Sequence, residues 1–205
     1  MKRLRISHPG VRFFQCGEYG ESLGRPHHHA LLFNCWFPDS RHHKTRGDVK
    51  LYTSRELEDL WTHGQCSVGA VTFESAAYIA RYSMKKMYGS EANYGGRVPE
   101  YLTMSRRPGI GSGFYDKFRS DMYPNDEVVV RGVRCRPPRY YDNLVERDTP
   151  VSFARLKARR RAVAKREIEA IGGELENAKA LVRSEVVKRA AISMLSRPLE
   201  DEYGI

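Results

Sequence analysis

The chain has 205 residues, a formal net charge of +10 at pH 7 and 11% aromatic residues. This length allows one domain with a substantial core plus an appendage. The basic balance favours a polyanionic partner, because lysine and arginine gain binding free energy by releasing counterions from phosphates. There is no run of apolar residues long enough for a membrane span, no signal-peptide pattern and no P-loop motif, which argues against a membrane protein or a P-loop ATPase.

Cysteine usage points to a reducing compartment. The four cysteines are widely separated and form no C-x-x-C pair, which is typical of free thiols in cytoplasmic proteins. We therefore expect a protein of the bacterial host-cell cytoplasm with no membrane partner.

The first predicted elements form a hairpin. Residues 11–18 and 26–34 have the composition of strands, and the glycine-containing segment 20–24 predicts the turn between them. Alternate side chains of a strand point to one face, so His27 and His29 project together while His28 points to the other face.

Two imidazoles on one strand provide half of a metal site. The hairpin sets Glu18 opposite His27 or His29, which makes it the first candidate for a third ligand, and Glu21 in the turn is its rival. The expected ion is Mg²⁺ or Mn²⁺: imidazoles favour Mn²⁺ for affinity, while Mg²⁺ is far more abundant.

The next segment is predicted to contain a loop, a helix and a strand. Residues 38–48 are expected to be a polar basic loop, and residues 49–52 a short extended piece. Thr53 is expected to cap a helix that ends at Gly64. Residues 65–72 then have the small and β-branched composition of a strand.

A tyrosine helix is predicted over residues 74–87. Tyr78 and Tyr82 share a helical face at i, i+4, and Lys85 continues it, with Lys86 as the alternative. A tyrosine phenoxide can attack a DNA phosphate and leave a 5′-phosphotyrosine, and a lysine would favour the phenoxide because the unperturbed tyrosine pKa is about 10. Each motif alone also occurs in packed cores; their combination points to function.

The composition changes near residue 149. Residues 90–124 suggest loops close to a ligand, residues 127–136 a strand, and the remainder two helices separated by Gly172 and Gly173. We therefore expect a domain over residues 1–148 and a basic helical region over 149–205. This region is either an arm that binds nucleic acid or a partner, or a solvated helix.

Six segments together resemble a known family. They resemble the replication initiator proteins of gokushovirus-like Microviridae, and the His-x-His and tyrosine motifs resemble the wider HUH endonucleases. The matching segments are 16–21, 25–33, 51–61, 78–86, 105–111 and 137–142.

The resemblance implies an α+β fold, an antiparallel sheet with flanking helices, followed here by the helical C-terminal region. It also implies a further strand before the present Met1, with residues 1–5 beginning inside the helix that follows it. The implied activity is rolling-circle replication: nicking of a single-stranded DNA origin through Tyr82, with Tyr78 as second tyrosine, and use of the 3′-OH by host replication machinery. Residues expected to contact DNA are Arg25, Arg81, Arg106 and Arg107.

Two other functions remain open from the residues alone. A non-catalytic single-stranded DNA-binding protein would use the tyrosines for stacking and the histidines for structure. A related tyrosine transposase or relaxase would share the chemistry, although segment 105–111 favours the phage initiator.

Overall fold

The computed structural model describes residues 1–20, 23–85 and 94–194, without the side chains of residues 82–85 and 193. The described chain divides into two compact units between Ile110 and Gly111. The change of composition expected at residue 149 falls inside the second unit.

The first unit combines antiparallel strands with three helices in its described part. The strands are β1 (Arg12–Tyr19), β2 (Pro26–Phe33), β3 (Arg41–Arg46), β4 (Val49–Thr53) and β5 (Tyr101–Met104). The helices are α1 (Leu4–Ser7), α2 (Arg55–Leu60) and α3 (Phe73–Lys85).

A three-stranded sheet with the order β2-β1-β5 is the frame of this unit. Strand β1 is antiparallel to both neighbours, and its register places Glu18 opposite His27 and Cys16 opposite His29. On one side of the unit, Leu4, Val11 and Phe37 form a buried cluster that Leu32 and Leu57 cover. The predicted hairpin of residues 11–34 is confirmed.

Gly17 allows two aromatic side chains to meet across the middle of β1. It lies opposite His28 on β2 and opposite Tyr101 on β5. A Cβ atom at Gly17 would lie 2.4 Å from Cε1 of Tyr101 and 3.0 Å from Nδ1 of His28. Glycine is thus required here for lack of space.

The expectation of a loop over residues 38–48 is wrong. Strands β3 and β4 form a two-stranded hairpin, in which Arg46 pairs with Val49 across a two-residue turn. Gly47 begins that turn with a φ of +53°, a conformation that glycine adopts without strain and that matches the twist of a hairpin. The Gly47-Asp48 dipeptide was the available signal.

The cap of α2 lies one residue later than expected. Ser54, not Thr53, is the N-cap, and its Oγ accepts a hydrogen bond from the Leu57 amide at 3.1 Å. Asp39 completes the cap: it accepts from Ser54 Oγ at 2.7 Å and from the Glu56 amide at 2.9 Å. Thr53 is instead the last residue of β4, and the helix ends at Leu60, before Gly64.

The strand expected over residues 65–72 is also wrong. Only Val68 pairs there, through reciprocal backbone hydrogen bonds of 2.8 Å with Tyr52. Gly69 follows Val68, and Thr72 already caps α3, so the segment is too short for a regular strand.

The second unit is mainly helical. Its elements are α4 (Ser112–Asn125), β6 (Val128–Val130), β7 (Val133–Cys135), α5 (Arg139–Asp148), α6 (Pro150–Ala170) and α7 (Glu174–Ser193). The loop expected over 90–124 instead contains β5 and α4. The single strand expected over 127–136 is a hairpin, because Arg131 and Gly132 both have positive φ and form its turn. The split at Gly172-Gly173 is confirmed.

One arginine ties three parts of the second unit together. Arg160 on α6 donates to both oxygens of Asp126, after α4, and to both oxygens of Asp142 on α5. Tyr123 adds a 2.9 Å hydrogen bond to Asp142. The Arg160 guanidinium lowers the pKa of Asp126, against the opposing effect of burial. The apolar core beside this network consists of Tyr115, Met122, Val145, Phe153 and Leu156.

The predicted fold class is confirmed: antiparallel sheets with flanking helices precede a helical C-terminal region. Within the described ranges, no helix is both long and apolar enough to cross a membrane.

Replacing Gly17 by alanine should destabilise the first unit by about 1–3 kcal/mol, because the new methyl group forces the Tyr101 ring away from His28. Urea unfolding followed by tryptophan fluorescence measures this, since both tryptophans, Trp36 and Trp61, lie in this unit. The matched control is Gly113→Ala in α4, where the added Cβ meets nothing within 4 Å. An unchanged unfolding midpoint for Gly17→Ala would contradict the close contact.

Removing the Asp126 charge by Asp126→Asn should cost the second unit about 1.5–3 kcal/mol at pH 7, the usual worth of a charge-assisted hydrogen bond. The folded-state pKa of Asp126 lies below its unfolded value of about 3.9, so this stabilisation is present above about pH 4 and is lost as pH falls through the folded pKa. Urea unfolding followed by far-UV circular dichroism should therefore show less acid sensitivity in the variant. Equal acid sensitivity in both proteins would refute the assignment.

Candidate functional site

The central sheet collects the predicted ligands on one face. Because directly paired residues share a face, the β1–β2 register puts Cys16, Glu18, His27 and His29 on the same side. The His27 and His29 rings are nearly parallel, with an interplanar angle of 14° and centroids 6.2 Å apart. The face predicted from the His-x-His spacing is thus present.

Glu18 is held next to one of these histidines. Its side chain is only 5% exposed, and its Oε1 accepts a hydrogen bond from His29 Nε2 at 3.1 Å. A carboxylate that is buried needs such a partner. His27 differs, since its buried Nδ1 has no hydrogen-bond partner in the structure as described.

The donor set fits a divalent cation in its chemistry. Two imidazoles and a carboxylate are ordinary ligands for such an ion, and the unsatisfied Nδ1 of His27 is the kind of buried polar atom that a ligand would satisfy. Among the described residues, however, no group of three or more His, Cys, Asp or Glu side chains is placed to hold a metal. The hydrogen bond from His29 to Glu18 also matches a carboxylate that orients a ligating histidine.

The tyrosine helix α3 lies against this face. Thr72 and Ser75 exchange backbone-to-hydroxyl hydrogen bonds of 2.8 and 3.2 Å, which fix the start of the helix. Tyr78 is buried, and its ring lies edge-on to His29 with centroids 6.2 Å apart. The Arg81 guanidinium lies 5.6 Å from the centroid of the Tyr78 ring.

The remaining tyrosine-helix candidates are only partly described. Tyr82 lies one turn beyond Tyr78 on α3 and Lys85 is the last residue of that helix, but the side chains of both are outside the description. Lys86 and the alternative ligand Glu21 lie outside the described residues.

Sequence reasoning missed a cluster on the opposite face of the sheet. His28 lies edge-on to Trp61, with centroids 4.8 Å apart, and its Nδ1 is 3.0 Å from the Tyr101 hydroxyl. Burial lowers the pKa of His28, and the positive charges that His29, His27 and His63 can carry lower it further. Burial likewise raises the pKa of Tyr101. The cluster thus favours an uncharged imidazole beside a protonated phenol.

The arginines expected to contact DNA lie at different edges of the first unit. Arg25 is exposed immediately before β2, whereas Arg106 and Arg107 are exposed in the turn that follows β5. Ser105 fixes that turn to β1: its amide donates to the Phe13 carbonyl at 2.9 Å and its Oγ accepts from the Phe13 amide at 3.1 Å. Arg81 is the one that contacts the tyrosine helix face directly.

Arg97 fastens the turn that leads into β2. Its guanidinium lies 4.5 Å from the centroid of the Tyr19 ring, and its Nη1 is 3.5 Å from the Gly24 carbonyl. The Tyr19 hydroxyl donates to the Val98 carbonyl at 2.9 Å. These contacts hold the ends of β1 and β2 together next to Glu18 and His27.

Comparison with known proteins relates the chain to phage replication. Residues 1–87 match the family model that describes replication-associated proteins of the ORF2 type. The chain is 35% identical to Replication-associated protein VP4 of Bdellovibrio phage phiMH2K, over 70% of this chain and 46% of that protein. It is 33% identical to Replication-associated protein ORF2 of Spiroplasma virus 4, over 80% of this chain and 53% of that protein.

A third relative is Replication-associated protein ORF4 of Chlamydia phage 1, at 28% identity over 67% of this chain and 36% of that protein. The chain spans about half the length, or less, of these curated relatives. No solved structure matches it.

Proposed function

We propose that this chain, a relative of the replication-associated proteins of Microviridae phages, nicks and rejoins single-stranded DNA at a replication origin by a tyrosine-dependent, metal-dependent reaction. The names of its relatives support a role in phage replication. The chemical step is inferred from the residues of the first unit.

One observation carries the proposal: the tyrosine helix packs on the histidine face of the sheet. Tyr78 and His29 are 49 positions apart in the chain, yet their ring centroids lie 6.2 Å apart. Residues from a strand and from a distant helix therefore meet at one surface, next to a buried carboxylate. This surface combines tyrosine, histidine and glutamate, the residue types that the proposed phosphoryl transfer needs.

In the proposed reaction, the phenolic oxygen of Tyr82 attacks the phosphorus of the scissile phosphate. A bond forms between that oxygen and phosphorus, the bond from phosphorus to the 3′ oxygen breaks, and the phenolic proton is balanced by protonation of the departing 3′ oxygen. Lys85 favours the phenoxide as it develops. Attack by Tyr78 on a second phosphate, or by a 3′-OH on the phosphotyrosine, transfers or rejoins the strand.

The remaining residues hold and orient the reacting groups. His27 and His29 would hold a Mg²⁺ or Mn²⁺ ion, with Glu18 as third ligand or as the group that orients His29. When bound, the ion would polarise the phosphate and neutralise its developing charge. Arg81, Arg25, Arg106 and Arg107 pair with backbone phosphates, and the released 3′-OH would be extended by the host replication machinery.

A covalent assay tests the reaction. Single-stranded oligonucleotides that tile the genome encoding the chain, each labelled at the 3′ end, are incubated with the protein and Mn²⁺ and run on a denaturing gel. We expect a labelled protein band, because the 5′ phosphate of the 3′ fragment stays on tyrosine. Tyr82→Phe should reduce the band at least 100-fold, and the double variant with Tyr78→Phe should abolish it.

Tyr140→Phe in the second unit is the matched control and should leave the band unchanged. Absence of a labelled band for every oligonucleotide, or a band that survives the double variant, would sink the proposed reaction. Chelator-insensitive DNA binding without a band would instead favour the non-catalytic binding protein.

Metal binding is measured separately, by Mn²⁺ titration followed with electron paramagnetic resonance in the absence of DNA. We expect His27→Ala and His29→Ala each to weaken Mn²⁺ binding at least tenfold, and Glu18→Gln to weaken it about 10–100-fold, as is usual for residues that support a ligand. His43→Ala, an exposed histidine of β3, is the matched control. Identical titrations for all four variants would refute the assigned ligands.

A further inference from the structure

The outer side of the β3–β4 hairpin carries a row of aromatic rings. Tyr52 on β4 lies edge-on to His42 on β3, with centroids 5.8 Å apart, and edge-on to Trp36, with centroids 6.4 Å apart. Trp36 is 61% exposed, although tryptophan is among the costliest side chains to leave in water. This hairpin face, formed by Trp36, His42, Lys50 and Tyr52, is separate from the histidine face of the central sheet.

The register shows why these side chains point outward. His42 pairs directly with Tyr52, and Lys50 lies two residues before Tyr52, so all three share one side of the ribbon. Leu51 takes the other side, where it is 8% exposed and in contact range of Gly69. The ribbon therefore has an inner side that packs and an outer side that presents rings to solvent.

The charge of the hairpin selects the kind of partner. Residues 41–50 contain four lysine or arginine residues and a single aspartate. Of these, Arg41 and Lys50 are exposed. The nearby carboxylate of Asp39 is engaged by Ser54 and by the Glu56 amide, and hydrogen bonding to them lowers its pKa. Exposed rings among positive charges complement a polyanion that also offers flat apolar groups.

We propose that the hairpin face binds single-stranded DNA by stacking a base on Trp36 and pairing phosphates with Lys50 and Arg41. Single-stranded nucleic acid is bound in this way in general, because every base has a π-face and every nucleotide a phosphate. The bases of a duplex are already stacked, so a tryptophan on an open ribbon favours the single strand. The hairpin face is a second DNA contact, and it does not depend on the nicking reaction proposed above.

The test uses the full chain, a fluorescein-labelled thymidine 20-mer and EDTA, so neither an origin sequence nor a metal is involved. Fluorescence anisotropy should show that Trp36→Ala weakens binding about tenfold, which corresponds to about 1.4 kcal/mol. Lys50→Ala should lower the slope of log K against log salt by about 0.7, while Lys50→Arg preserves it. Phe114→Ala, an exposed aromatic of α4 at 51% exposure, is the control and should have no effect.

A direct signal covers the case in which Trp36→Ala fails to fold. In the Trp61→Phe protein, Trp36 is the remaining tryptophan, and its fluorescence should be quenched as the thymidine 20-mer is added. Unchanged fluorescence on saturation with this DNA would overturn the proposal. Equal or tighter binding of a 20-base-pair duplex that is unaffected by Trp36→Ala would overturn it as well. Neither outcome bears on the covalent assay, which reports the histidine face alone.

Discussion

The register between β1 and β2 is the constraint on which the candidate site depends. It pairs Glu18 with His27 and Cys16 with His29, and so brings a carboxylate under two imidazoles on one face. The cost of burying that carboxylate is offset by its hydrogen bond to His29. Helix α3 then supplies Tyr78 from above this face, so the first unit assembles its chemistry from three separate segments of the chain.

The sequence predicted those parts of the site that depend on local periodicity. Alternation along a strand placed His27 with His29, and helical spacing placed Tyr78 with Tyr82; a hairpin with a short turn placed Glu18 across from the histidines. The contact between His28 and Tyr101 joins residues 73 positions apart through the space left by Gly17. No local pattern encodes such a contact, which is why it was missed.

Errors in the predicted elements have equally specific causes. The basic composition of residues 38–48 resembled a loop, but a Gly-Asp turn and cross-strand pairing outweighed it and produced a hairpin. At α2, both Thr53 and Ser54 could cap; Asp39, distant in sequence, selected Ser54 by accepting its hydroxyl. In the C-terminal basic run, Arg160 was expected to be one more surface cation, yet it turns inward to two aspartates. Charged networks of this kind define one arrangement of helices because each member needs its partners.

Three consecutive histidines make the β2 strand unusually sensitive to insertions and deletions. A shift of one residue against β1 would present His28 alone toward α3 and turn His27 and His29 toward Trp61. A shift of two residues would restore the parity but move each imidazole away from its present neighbour. Genetic drift in length can therefore be absorbed in the connection before Pro26, whereas within Pro26–Phe33 even a single added codon would exchange the two faces of the sheet.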